Sequence, residues 1–115
     1  MSDCIFCRIV RGEIPAKKVH EDDLVVAFHD IQPQAPVHIL VIPKVHVPSM
    51  AELDAEHEAA MGRLMVVAGR LAREHGCTEG FRAIVNTGDV GRQEVYHLHL
   101  HIVGGSSLLP PMLKY

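Results

Sequence analysis

Long apolar runs are missing from this chain of 115 residues. No stretch approaches the roughly 18–20 residues that cross a bilayer, so no membrane span and no membrane partner are expected. The opening segment MSDCIFCRIVRGEIP lacks the basic end, long apolar centre and small-residue cleavage site of a secretory leader, which makes the cytoplasm the expected compartment. Basic charge is not in excess either. Lys and Arg number 11 against 14 Asp and Glu, a net charge of −3 with histidine neutral. No broad basic surface therefore points to nucleic acid, and a small anionic ligand would have to be held by local groups. Cysteine is scarce: Cys4 and Cys7 lie close together and Cys77 stands alone, which does not suit a disulfide scaffold. Internal repeats and low-complexity tracts are absent.

Apolar residues make up 48% of the chain and charged residues 22%, an ordinary balance for a globular protein, and the length suits one domain. Residues 1–115 are read as that domain, with a core over about residues 4–105 and an irregular tail over 106–115, where Pro110-Pro111 falls. Cys4 to Arg11 predicts a short helix with Ile5, Phe6, Ile9 and Val10 near one side, stopped by Gly12 and Pro15. Val19 to Asp23 gives a strand end and an acidic turn. Leu24–His29, Val37–Ile42 and Phe81–Asn86 read as strands. Asp54 is a good N-cap for one long helix, with Glu56 and Glu58 in its first turn and Arg73, His75 and Gly76 at its end. Met61, Leu64, Met65, Ala68, Leu71 and Ala72 give that helix an apolar stripe. Strands, one long helix and more strand predict an α+β domain built on a mainly antiparallel sheet. The apolar surface that so small a sheet exposes favours pairing with a second copy.

The most informative segment is Val95-Tyr96-His97-Leu98-His99-Leu100-His101-Ile102-Val103, in which histidine alternates with apolar residues. Successive side chains on a strand point to opposite faces, so this pattern puts His97, His99 and His101 on one face and Leu98, Leu100 and Ile102 on the other. Neighbours on one face stand roughly 6.5–7 Å apart. Three readings compete: the polar face of an edge strand, a metal site, and nucleophilic catalysis by one imidazole positioned by its neighbours.

Two more features bear on the choice. Cys4-Ile5-Phe6-Cys7 is a C-x-x-C half-site for zinc, too near the start to follow the strand of a thioredoxin-type motif; His46 and one member of the histidine row are candidates for the missing ligands. Cys77 reads as a small core residue. Thr87 to Glu94 is a glycine-containing loop leading into the histidine row, where backbone N–H groups and Arg92 could meet an anion. His38, on the Val37–Ile42 strand, is a further candidate for orienting a nucleophile.

The chain resembles the histidine triad (HIT) superfamily, specifically its Hint-like branch of nucleoside phosphoramidases. The resemblance is carried by His97-Leu98-His99-Leu100-His101-Ile102-Val103, by Gln93-Glu94-Val95-Tyr96 before it and by Gly104-Gly105 after it. Upstream, Gly12-Glu13-Ile14-Pro15, Glu21-Asp22-Asp23, Ala27-Phe28-His29-Asp30-Ile31, Gln34-Ala35-Pro36 and Leu40-Val41-Ile42-Pro43-Lys44 match in order. It implies a five-stranded antiparallel sheet with one short N-terminal and one long central helix, paired as a homodimer. It implies that His99 attacks the α-phosphorus of a purine nucleotide to form a nucleotidyl-histidine, and that His101 and His38 position the phosphate and the imidazole. Gln93 and the backbone at Glu94 and Val95 would surround the phosphate. Asp30 would hold the ribose, with Phe6, Phe28, His29 and Ile31 lining the nucleoside pocket and Asn86 nearby. Cys4, Cys7, His46 and His97 would hold a structural zinc ion.

The implied activity is hydrolysis of adenosine or guanosine 5′-phosphoramidates; its rivals are dinucleoside polyphosphate hydrolysis and nucleotide binding in a regulatory protein with incidental turnover. The sequence departs from the family pattern twice. Arg92 stands where glycine is usual, and an outward-pointing side chain is expected there at the cost of backbone strain. Glu94 stands where some members have a serine that contacts the phosphate.

Overall fold

A computed structural model describes residues 4–113. Residues 1–3 and 114–115 of the expected domain and tail lie outside the described residues. The elements run α1 (Ile5–Val10), β1 (Lys18–Glu21), β2 (Val25–His29), β3 (Val37–Pro43), α2 (Glu58–Glu74), β4 (Phe81–Ile84) and β5 (Leu100–Gly104), with single 3₁₀ turns at Met50–Glu52 and Ala55–His57. The strands form one antiparallel sheet in the order β1-β2-β3-β5-β4. This is the antiparallel α+β arrangement that the sequence predicts, with its short N-terminal and long central helix, and the five strands are those that the family resemblance implies.

Strands β2 and β3 are apolar almost throughout because both faces of the sheet are covered. One face, with Val25, Ala27, Ile39, Val41, Leu98, Leu100 and Ile102, packs on Leu64, Val67, Ala68 and Leu71 of α2. The other, with Val26, Phe28, Leu40 and Ile42, packs on Phe6 and Ile9 of α1. The β1–β2 turn is closed by Asp22, whose Oδ1 accepts the N–H groups of Leu24 (2.8 Å) and Val25 (3.0 Å). Arg63 of α2 reaches the other oxygen at 2.7 Å, tying the hairpin to the helix. Burial pushes the Asp22 pKa up, but these hydrogen bonds and that from His20 outweigh it and hold the carboxyl well below the usual carboxylate range.

Several local expectations need correction. The histidine row is not one strand: only Leu100–Gly104 pairs in the sheet, and residues 95–99 run outside the ladder, with the Leu98 N–H bonded to the Val47 carbonyl instead. Strand β4 likewise ends at Ile84 rather than Asn86. Asp54 does not cap α2. It caps the 3₁₀ turn Ala55–His57 in a reciprocal box with His57, and α2 follows from Glu58. The α2 stripe lacks Met65, which is 60% exposed, and uses Ala60 and Val67 instead. Ile5 is also exposed, so α1 buries only Phe6 and Ile9. Cys77 is a core residue as expected; Gly104 passes so close that a Cβ there would lie 2.7 Å from its Sγ. Residues 105–113 contain no helix or strand, and Arg82 Nη2 donates to the Pro110 carbonyl (2.8 Å), holding this segment against β4. Among the described residues no helix is long and apolar enough to cross a membrane.

Candidate active site

The face under α1 gathers histidines from β3, from β5 and from the segment before it. Although the ladder stops at Leu100, the alternation of sides continues upstream. Leu98 enters the core beneath α2, while His97 and His99 both meet the edge of Phe6, with ring centroids 5.9 and 5.1 Å apart.

At one end lies a donor set of metal-binding composition. Cys4 Sγ is 3.3 Å from His97 Nδ1, and Cys7 Sγ is 3.6 Å from that nitrogen and 3.3 Å from His46 Nδ1. The two Nδ1 atoms are 3.1 Å apart, and all four ligand atoms lie within 4.8 Å of one another. Fully buried His97 donates its Nε2–H to the Pro43 carbonyl (2.8 Å), which fixes the tautomer and turns the Nδ1 lone pair toward the sulfurs. Burial, followed by the His46 and His99 charges, lowers the His97 pKa to about 4 against the opposing Pro43 bond. A neutral ring is the form that ligates. Burial, with Cys4 as hydrogen-bond partner and neighbouring charge, raises the Cys7 thiol. A divalent cation inverts that balance by stabilising thiolate, so the Cys₂His₂ set fits zinc.

Beyond Phe6 lies the reactive cluster. His99, 7% exposed, donates Nδ1–H to the His97 carbonyl at 2.9 Å, which leaves its Nε2 lone pair free. Its ring is held between Phe6 and His101, the latter centroid 5.0 Å away. On β3, His38 Nδ1 accepts the Gln34 N–H (3.0 Å), so its proton sits on Nε2, 2.9 Å from His101 Nδ1 and 3.4 Å from Asp30 Oδ2. His101 accepts that proton's hydrogen bond and therefore carries its own proton on Nε2. Burial, then the His99 and His38 charges, lowers the His101 pKa to about 4 against the pull of Asp30. The cluster thus sets the His99 Nε2 lone pair beside an N–H on His101, a pair that can attack an electrophile and hydrogen-bond a departing or anionic group.

Asp30, His38 and His101 also converge closely enough to suggest a metal site. The chemistry argues otherwise. A ligating histidine donates from its second nitrogen to an acceptor, as His97 does. The second nitrogen of His38 faces the Gln34 N–H, a donor, and ligation through Nε2 would set two N–H groups against each other.

The remaining expected residues are placed as follows. Phe28 is buried against Phe6, with centroids 5.7 Å apart, and Asp30 lies at the end of β2, its Oδ1 bonded to the Gln32 N–H. Ile31 is 93% exposed on the β2–β3 loop. His29 is not brought to this cluster. Alternation along β2 turns it to the α2 face, where it meets His75 at 5.6 Å, so its ring does not line a pocket with Phe28. Asn86 and Val95 are half-buried, and Arg92 and Glu94 are exposed. Arg92 has φ +63°, the strained backbone expected of a residue in a glycine place. Gln93 is buried, and its amide is occupied by backbone groups of the protein. Sequence reasoning missed the Gln34 N–H and the Pro43 and His97 carbonyls, because backbone groups that select a tautomer leave no mark on residue type.

Residues 11–108 match the HIT domain family model. A purine nucleoside phosphoramidase of Escherichia coli K12 is 50% identical over 114 residues, spanning 98% of this chain and 95% of its own. Among solved structures, a histidine triad protein from Clostridium difficile is 46% identical with a TM-score of 0.90, covering 97% of this chain and 98% of the other. A zinc-bound histidine triad family protein from Mycobacterium smegmatis is 36% identical with a TM-score of 0.76, covering 90% of this chain and 75% of its own.

Proposed function

This chain belongs to the HIT domain family and is a HIT-type hydrolase, and from that premise we propose that it cleaves purine nucleoside 5′-phosphoramidates at the α-phosphorus. The observation that carries the reading is the tautomer pattern: a free Nε2 lone pair on His99 beside an N–H on His101. His99 Nε2 attacks phosphorus, and the P–N bond breaks with its electron pair passing to the departing nitrogen. That nitrogen is held by a hydrogen bond from His101 Nε2–H and takes its proton from solvent water. Water then attacks the nucleotidyl-histidine, loses its proton to solvent, and releases the nucleoside monophosphate and free His99. The fixed imidazole replaces one high barrier with two lower ones. Asp30 holds the ribose, with Phe6, Phe28 and Asn86 contacting the nucleoside.

Cys4, Cys7, His46 and His97 hold zinc, which when bound fixes α1 over the sheet; the zinc-bound M. smegmatis relative supports this role. Met65 and Val66 of α2 and Phe81 of β4 are exposed apolar residues. They supply the surface for a homodimer. Reduced thiols in the metal set suit a cytoplasmic enzyme.

The test sets an adenylyl-lysine phosphoramidate against diadenosine tetraphosphate. The phosphoramidate should be turned over faster, with a nucleotidyl mass increase on His99 in the quenched protein. His99→Ala should lose several orders of magnitude in turnover while still binding nucleotide. Turnover confined to the polyphosphate would replace this reading with the rival hydrolase, and tight binding with no turnover would replace it with the regulatory one.

A further inference from the structure

We propose that Gln93 is a positioning residue that sets the anion-binding loop from within the protein, and not a ligand to the phosphate. This rests on the functional reading above only for the identity of the anion. Gln93 is 6% exposed, and its amide touches backbone in three stretches of chain. Oε1 accepts the Gly88 N–H at 2.9 Å; Nε2 donates to the Pro48 carbonyl at 2.7 Å and to the Val95 carbonyl at 3.0 Å. The main chain repeats the first link, since the Gln93 N–H donates to the Gly88 carbonyl at 3.0 Å. Gly88 and Gln93 are thus joined at two points, closing residues 88–93 into a ring. Gly91 lets this ring close: a Cβ there would lie 2.4 Å from the Thr87 carbonyl oxygen.

Both Nε2 hydrogens are committed. Reaching a phosphate would break two hydrogen bonds and leave the carbonyls of the half-buried Pro48 and Val95 without them. The residues that follow are different: among the described residues, the N–H groups of Glu94 and Val95 donate to no protein backbone or side chain. Gln93 therefore works through them. Its bond to the Val95 carbonyl fixes the peptide that follows, and its bond to Pro48 references that peptide to the segment carrying His46. The adjoining bond from the Leu98 N–H to the Val47 carbonyl (2.8 Å) extends the same seam toward His97 and His99. One neutral side chain thereby registers the anion loop against both the metal set and the nucleophile.

The experiment reads ligand-free protein first. Amide exchange at Gly88 is followed by NMR in wild type, Gln93→Met and Gln93→Glu, with α2 exchange and zinc content as controls on folding. Loss of the Gly88 acceptor should speed Gly88 exchange by about tenfold or more in Gln93→Met, with α2 unchanged, whereas Gln93→Glu keeps that acceptor and loses only the two donors to Pro48 and Val95. Phosphoramidate kcat/KM should fall by about 10²-fold, mostly in kcat, as expected for a misplaced anion site. Gln93→Glu should regain activity as pH falls through its carboxyl pKa, because the protonated acid restores one donor, whereas Gln93→Met should not. A Gln93→Met protein that is folded and slow while its Gly88 exchange stays at the wild-type rate would overturn the proposal and make Gln93 a direct phosphate contact. Should wild type turn over no phosphoramidate, the functional reading fails separately, because the exchange measurement uses no substrate.

Discussion

Removing the metal should undock α1 and leave the rest of the fold standing. The helix is only six residues long, too short to persist on its own. Fixing those residues costs about 1–2 kcal/mol each in backbone entropy, about 6–12 kcal/mol in all. Against this, burial of Phe6 and Ile9 supplies about 1.5–3 kcal/mol apiece. The main-chain bonds from Cys7 to Cys4 Sγ, Arg8 to Cys4, Arg11 to Cys7, Gly12 to Ile9 and Glu13 to Arg8 supply about 1 kcal/mol each. The two sides come within a few kcal/mol of cancelling, so the cross-link from Cys4 and Cys7 to His46 and His97 decides whether α1 stays docked. The assay is hydrogen exchange by mass spectrometry before and after a strong zinc chelator, with elemental analysis to confirm removal. Peptides covering residues 5–10 should exchange at least ~100-fold faster, as expected when a locally stabilised unit is released, while residues 58–74 stay protected. Turnover should fall in step, because Phe6, which walls His99, leaves with the helix. Unchanged exchange over residues 5–10 in protein shown to be metal-free, or equal loss in α2, would refute the reasoning.

Other outcomes follow from single residues. Arg92→Gly should raise stability, by less than about 1 kcal/mol, because relief of the strained left-handed backbone exceeds by little the extra freedom of glycine in the unfolded chain. Denaturant midpoints check this, and a salt-sensitive loss confined to polyphosphate substrates would show that Arg92 reaches the ligand. His101 binds its proton less tightly folded (pKa about 4) than unfolded (6.5), so the unfolded state takes up more protons in between. Its contribution to stability is therefore fully present above pH 6.5 and is lost as pH falls toward 4, by about 1–2 kcal/mol once solvent screening is allowed for. Urea midpoints across that range should show the decline, and His101→Gln should flatten it.

How much of this was legible in the sequence depends on what each feature encodes. Periodicity records which way a side chain faces, and it served well at Leu98, Leu100 and Ile102, which enter the core as their alternation requires. It does not record hydrogen bonding between chains. An extended segment keeps alternating after it leaves the ladder, so His97 and His99 look like strand residues yet sit outside the sheet. The expectation for His29 came from the family resemblance and not from periodicity. His29 follows Phe28 in a buried strand, and alternation sends its ring to His75, on the face opposite Phe28. Helical spacing fits Met65 and Val67 almost equally well to one stripe; packing against the sheet buries Val67 and exposes Met65. Asp54 does cap a turn, but propensity does not say whether the turn it caps is α or 3₁₀.

The division of labour among the histidines lies beyond periodicity altogether, because it is set by backbone groups. His97, His99 and His38 are the same residue type on the same face of the fold. His97 gives its Nε2–H to a carbonyl and so presents Nδ1 to two thiols. His99 gives its Nδ1–H to a carbonyl and so keeps a lone pair on Nε2. His38 meets an N–H instead of a carbonyl, so it must present a proton, and His101 passes that polarity on with its own N–H. Interchanging a carbonyl for an N–H at any one of these points would reverse the role of the ring it touches. A triad motif therefore specifies three imidazoles, and the backbone groups at Gln34, Pro43 and His97 specify which nitrogen of the rings they touch carries a proton and which offers a lone pair.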